Sequence, residues 1–369
     1  MASNPADRLR KKPPVPYTDS LPDEIKRNVG RWVDRKFHGF GMIEHISETG
    51  DHIFTVKVGA TPNARFSTDT LRKFAGIADT HGVGALRFTR SGNVEFIANS
   101  LEKAREIEGA VGELGYYTGG WGHTLWCVNS CTAYLTCTTA VTDSPSMTKV
   151  LYDELKPYFT GEVGLPAKLK IHVAGCPSSC GSLVADIVVS GHYGDAPTYD
   201  PEKIKVCLPP SADTLDTATP ELVMVCPTNA IKAYKKPDNT VGIEIVRDKC
   251  IGCGRCRDVC DFITWDVSKV GVCVMVGGRS SNTGIGPTLA RMLVPWIPVN
   301  PPGYREVVAV VGKIIDIWRA NARGGERMAD YVERVGMNEL LKALDVPLTK
   351  HNRPSRIGPG FGLRQFITR

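Results

Sequence analysis

The chain has no apolar run approaching the roughly 20 residues that cross a bilayer. Its opening stretch, MASNPADRLRKKPPVPYTDS, is basic and proline-containing but lacks the apolar h-region of a secretory signal. A loosely ordered arm over residues 1–39 is the expectation, on a cytoplasmic protein with no membrane span. Long Lys/Arg blocks and known nucleic-acid modules are also missing. The net charge of +6 therefore points to an anionic substrate or cofactor rather than to nucleic acid.

What the chain does have is cysteine: 12 in 369 residues. A disulfide framework belongs to small secreted domains, so these thiols read as metal or cluster ligands. The length suggests about two or three domains.

HIFTVKV (52–58) alternates like a strand, and DTLRKFAGIADT places Leu71, Phe74 and Ile77 at helical spacing. ALRFTRSGNVEFIA reads as two strands about a Ser-Gly-Asn turn. SLEKAREIEGAVGEL reads as a helix with Leu101, Ala104, Ile107, Val111 and Leu114 in one stripe. Strand–helix–strand–strand–helix implies a ferredoxin-like α/β subdomain over 40–122. A second α/β subdomain follows over 123–217 and resumes over 269–302, with a Cys-rich insert at 218–268 between. EVVAVVGKIIDIW and ERMADYVERVGMNELLKAL read as two helices, and residues 303–369 as C-terminal helices ending in a basic arm. The fold class is α+β.

In the insert, VCPTNAI precedes DKCIGCGRCRDVC. A 4Fe–4S cube takes three thiolates from one tight loop and a fourth from a remote Cys-Pro, which selects Cys250, Cys253, Cys256 and Cys226. Structural zinc is the competing reading, although zinc sites rarely use this repeated x2 spacing. Cys260 completes the run but has no second cluster to serve within the insert, so it is expected not to be a ligand. It joins Cys127, Cys207 and Cys273 as an expected buried, inert thiol.

Cys131-x5-Cys137 and Cys176-x3-Cys180 form a second set of four. The pair at 176 and 180 is not the Cys-x2-Cys of a thioredoxin-like motif. Along AKLKIHV, period-2 alternation places Lys168, Lys170 and His172 on one face and Leu169, Ile171 and Val173 on the other. That cationic face runs straight to AGCPSSCG, whose small residues leave room for a large planar group.

CTAYLTC with GCPSSCG resembles the signature of siroheme sulfite and nitrite reductases, and LPAKLK and LRFTRSGNVEF resemble that family's lysine segment and arginine hairpin. Within it the chain is most similar to beta subunits of dissimilatory sulfite reductase. GVCVMVGGRSSN, LVPWIPVNPP and the closing RQF extend the likeness over nearly the whole length.

The resemblance implies a siroheme-binding subdomain in which Cys131, Cys137, Cys176 and Cys180 hold a 4Fe–4S cluster, Cys180 also bridging to the siroheme iron. With the insert's cluster, that makes two 4Fe–4S clusters and a siroheme. It implies that Lys168 and Lys170 bind sulfite or steady siroheme carboxylates, and that Arg87, Arg90 and Arg279 are candidates for those carboxylates. Lys168, Lys170 and Arg87 form the expected catalytic set. Cys131, and Gly175 in place of a second adjacent cysteine, match the alpha-type rather than the beta-type pattern.

Single-chain relatives carry two copies of this half-module and this chain carries one, which implies an alpha-subunit partner in an alpha2beta2 heterotetramer. A small sulfur-carrier protein of the DsrC type and an electron-donor protein are the other expected partners. The implied activity is reduction of sulfite toward sulfide, or the reverse. The alternatives are a small anaerobic sulfite reductase, a nitrite reductase, or an electron-transfer subunit with a structural siroheme.

Overall fold

The computed structural model describes residues 21–349, 351 and 352. The first 20 residues of the expected arm and the C-terminal basic segment with its RQF lie outside them. The chain forms two units. One runs to Cys127 and includes Pro157–Gly164; the other holds Val128–Lys156 and continues from Leu165.

The first unit is built on β1 (Trp32–Phe37), β2 (Met42–Ser47), β3 (His52–Val58), β4 (Leu86–Phe88) and β5 (Val94–Ala98), in the order β1-β2-β3-β5-β4. All neighbours are antiparallel. Helices α1 (Thr68–His81) and α2 (Leu101–Glu113) begin at Ser67 and Ser100, whose side chains accept the N–H of Thr70 and Lys103 and so cap otherwise unpaired donors. Their apolar stripes meet the sheet in a core of Phe54, Val56, Phe74, Phe96, Ile107 and Val111. The expected order is present.

Two features differ from the sequence reading. β1 draws Trp32–Phe37 into the sheet from within the expected arm, and β2 precedes the first expected strand. β3 is buried along nearly its whole length instead of alternating. Lys57 can be buried there because its ammonium lies 4.0 Å and 4.8 Å over the Trp121 and Trp126 rings and donates to the Gly120 carbonyl.

A second five-stranded sheet has the order β14-β13-β8-β7-β6, formed by β6 (Leu125–Ser130), β7 (Leu169–Ala174), β8 (Ile187–Tyr193), β13 (Val270–Val276) and β14 (Arg291–Pro298). β7 and β8 are parallel, whereas β8, β13 and β14 are antiparallel. β14, unread from sequence, tolerates Pro295 and Pro298 because it is an edge strand.

The insert occupies the gap between β8 and β13. β9 (Thr198–Tyr199) pairs with β12 (Ile263–Thr264), and β10 (Ile231–Lys235) with β11 (Val241–Ile245). Its core runs from Ile204 to Ile263, so the insert begins well before residue 218. The last expected helix is two, Met328–Val335 and Met337–Leu344, parted at Gly336, whose φ of 82° and ψ of 149° no helix accommodates.

Candidate active site

β7 positions the cationic group. Leu169, Ile171 and Val173 are fully buried, while Lys170 and His172 are half-buried on the other face and Lys168 precedes the strand in the same state. Burial lowers the pKa of the Lys168 ammonium below its ordinary value. The positive fields of Arg327, Lys170 and Arg279 lower it further, and Asp186 pulls the other way. His172 is pushed down to about 4 by burial and then by Lys170, so it is neutral at pH 7.

Asp186 and Arg327 organise this group, and sequence reading missed both. Asp186 is wholly buried and accepts the Lys170 backbone N–H at 2.9 Å. Arg327 forks onto it, with Nη2 at 2.6 Å and 2.9 Å from the two carboxylate oxygens and Nε at 3.2 Å. Burial pushes the Asp186 carboxyl up; the guanidinium and the Lys170 N–H oppose it.

Of the three other arginines, Arg279 is buried and held by Asp330 and by Thr283 Oγ1 at 2.9 Å, leaving its Nε without a hydrogen-bond partner. Arg87 lies in the first unit, exposed, with Nε 2.6 Å from buried Glu95. Arg90 is exposed on the hairpin turn of that unit.

The thiols fall into two groups. Cys131 Sγ accepts the Gly175 N–H at 3.1 Å and lies 3.2 Å from Ser144 Oγ. Cys137 Sγ lies 3.2 Å from Thr139 Oγ1, which is 3.9 Å from Cys176 Sγ. The Cys180 thiol is pushed up by burial and then by Cys176, Cys131 and Cys137, so all four interact. Ser179 and Cys180 have φ values of 57° and 32°, a strained turn that leaves Cys180 exposed.

Gly175 explains its own departure from the beta-type pattern. A Cβ there would stand 2.7 Å from Ala133 Cβ and 3.1 Å from the Thr142 carbonyl, so a cysteine does not fit beside the Cys131 loop.

In the insert, Cys226, Cys250, Cys253 and Cys256 line one cavity with Pro227 and Trp265. Cys226 Sγ accepts the Ala230 N–H at 3.1 Å. Burial raises Cys253 to about 11 and Cys256 to about 12, helped by the neighbouring thiols. Free thiolates are costly in such a pocket, and bound metal removes that cost. Among the described residues no three His, Cys, Asp or Glu side chains are gathered tightly enough for a single ion. The insert thiols line a cavity, and each set of four offers the all-thiol donor chemistry that fits an iron–sulfur cluster.

Cys207 and Cys260 correct the expectation of inert thiols: they form a disulfide, with Cα atoms 5.8 Å apart. The two lie far apart in sequence, and only the fold of the insert brings them together. Cys127 and Cys273 are buried and not disulfide-bonded, and burial pushes Cys273 up to about 12.

Residues 121–352 match the family model of the nitrite and sulphite reductase 4Fe-4S domain, and residues 45–114 that of the nitrite/sulfite reductase ferredoxin-like half domain. The chain is 32% identical to the dissimilatory-type sulfite reductase beta subunit of Archaeoglobus fulgidus, over 92% of this chain and 91% of that one. It is 30% identical to the beta subunit of Nitratidesulfovibrio vulgaris, over 94% and 91%. Alpha subunits match at lower identity. The crystal structure of dissimilatory sulfite reductase I superposes with a TM-score of 0.76 at 19% identity, covering 96% of this chain and 92% of that one.

Proposed function

Because the chain belongs to the nitrite and sulfite reductase family, we propose that it is a beta-type subunit of a dissimilatory sulfite reductase. It reduces sulfite toward sulfide, or runs the reverse, with an alpha subunit as its partner in an alpha2beta2 assembly in the cytoplasm. A DsrC-type sulfur carrier and an electron-donor protein complete the proposed partners. Among the described residues no helix is long and apolar enough to cross a membrane.

The observation that carries the reading is β7 itself, which bears the cationic group and leads directly into the Cys176–Cys180 loop. Cys131, Cys137, Cys176 and Cys180 would hold one 4Fe–4S cluster, and Cys226, Cys250, Cys253 and Cys256 a second. The orphaned Arg279 Nε and the Lys168–Lys170 face fit the carboxylates of a siroheme. When bound, siroheme and its clusters supply the electrons and the iron for multi-electron reduction at sulfur.

The chain's own residues do the rest. Lys168 and Lys170 neutralise an approaching oxyanion. The lowered pKa of Lys168 makes its ammonium a readier proton donor than a surface lysine, and a bound dianion offsets the repulsion that lowers it. The Asp186–Arg327 fork fixes the Lys170 backbone, so the strand does not shift as charge enters. Arg87 and Arg90 remain candidates for siroheme carboxylates, Arg87 by exchanging Glu95 for them. Product analysis on the native complex tests the assignment. Sulfide from sulfite is expected; turnover of nitrite alone, or a siroheme that takes neither substrate nor inhibitor, contradicts it.

A further inference from the structure

Two large aromatic side chains with no role so far link the insert cavity to the buried cluster that contains Cys176. Trp265 lines the insert cavity with Cys226, Cys250, Cys253 and Cys256. Its ring stacks on that of Tyr193, with centroids 4.0 Å apart and planes at 16°. Tyr193 ends β8 and packs in a buried cluster with Val141 and Cys176, a thiol of the other set. The ring pair thus lines the insert cavity on one side and shares a buried cluster with Cys176 on the other.

The pair is also held in place from both sides. Trp265 Nε1 donates to the Asp195 carbonyl at 3.2 Å, and Asp195 is forked by Arg247 at 2.7 Å and 2.8 Å. Arg257, on the Cys-rich loop, donates to the Tyr193 side chain. A Cβ on Gly254 would stand 3.0 Å from Tyr193 Cε2, so the loop lies directly against the ring.

We infer that the Tyr193–Trp265 stack is the medium through which an electron crosses from the insert pocket to the Cys131–Cys180 pocket. The inference rests on the proposal that each pocket holds a 4Fe–4S cluster. With both clusters bound, one electron from a low-potential donor would pass from the cluster held by Cys226, Cys250, Cys253 and Cys256 to the one held by Cys131, Cys137, Cys176 and Cys180, and neither ring would be oxidised or reduced. Tyr193 and Trp265 are positioning residues, because they act only by closing the space between pockets.

The test uses the native alpha–beta complex carrying Tyr193→Leu or Trp265→Leu in this chain, with Tyr193→Phe as the variant that keeps a ring. After a pulse of photoreductant, freeze-quench EPR follows the signal of each cluster, and equilibrium titration gives both potentials. Both Leu variants are expected to retain both signals and both potentials while the fast phase of transfer to the second cluster is lost. Tyr193→Phe is expected to keep that phase. Leu variants that transfer at the parental rate overturn the inference, as do Leu variants that both lose a cluster signal, since the rings would then hold the pockets rather than join them. A parental complex with one cluster signal contradicts the two-cluster proposal itself, and is recognised before any variant is made.

Discussion

Each side chain of the cationic group has a separable task. Replacing Lys168 and Lys170 together with Met keeps length and removes charge. Sulfite turnover is expected to collapse while the siroheme absorption spectrum of the complex survives; loss of siroheme with normal turnover per remaining cofactor would assign the lysines to cofactor binding. Because burial and three cations lower the pKa of Lys168, the loss of activity with rising pH should set in below the ordinary lysine range. Lys168→Arg should move that limb upward, and an unmoved pH profile would exclude Lys168 as its source. Among the thiols, Cys260→Ala should leave the insert EPR signal intact, because Cys260 bonds Cys207, whereas Cys226→Ala should alter it. Of the eight proposed ligand positions, Cys226, Cys250, Cys253 and Cys256 were read from the ferredoxin-type spacing with its remote Cys-Pro, whereas Cys131, Cys137, Cys176 and Cys180 took their role from the family resemblance. Asp186 and Arg327 were not: they meet across 141 positions, and nothing near either residue names its partner.

Elements place these residues by close approach. Ala133 and Thr142 leave no room for a side chain at Gly175. Gly175→Cys, which restores the beta-type residue, is expected to displace the Cys131 loop and lower the iron bound in that pocket, measurable as iron per chain. A variant with full iron content would show that the loop yields. The Asp186–Arg327 fork ties the start of β8 to the helix beginning at Met328. Asp186→Asn leaves a mostly buried guanidinium without its carboxylate and should cost about 3–5 kcal/mol in denaturant unfolding. Strands and helices with one apolar face were legible from period alone. The buried polar face of β3 was not, because its Lys57 is accommodated by two tryptophans more than sixty positions away. The break at Gly336 was readable in principle, but the apolar stripe continues across it and masks it.

Among the described residues, half-buried His172 and buried His192 have the most strongly lowered pKa values of the histidines and are neutral at pH 7. His172 and His192 are each held at about 4, chiefly by burial, against an ordinary value near 6.5. The unfolded chain therefore binds more protons than the folded one between those values. Stability is full above about pH 6.5 and falls as the pH drops toward 4. Thermal unfolding of the complex should show that decline, and His172→Gln should flatten it; a midpoint constant over the window would contradict the burial of both rings. On the proposed function, this one chain contributes two separate four-cysteine cluster sites to a sulfite reductase. Iron and labile-sulfide analysis of the native complex, combined with EPR of partly reduced samples and with the partner's share resolved, tests it most directly. Two distinguishable 4Fe–4S clusters and one siroheme are expected for this chain; a single cluster, or zinc in the insert pocket, would contradict the proposed function.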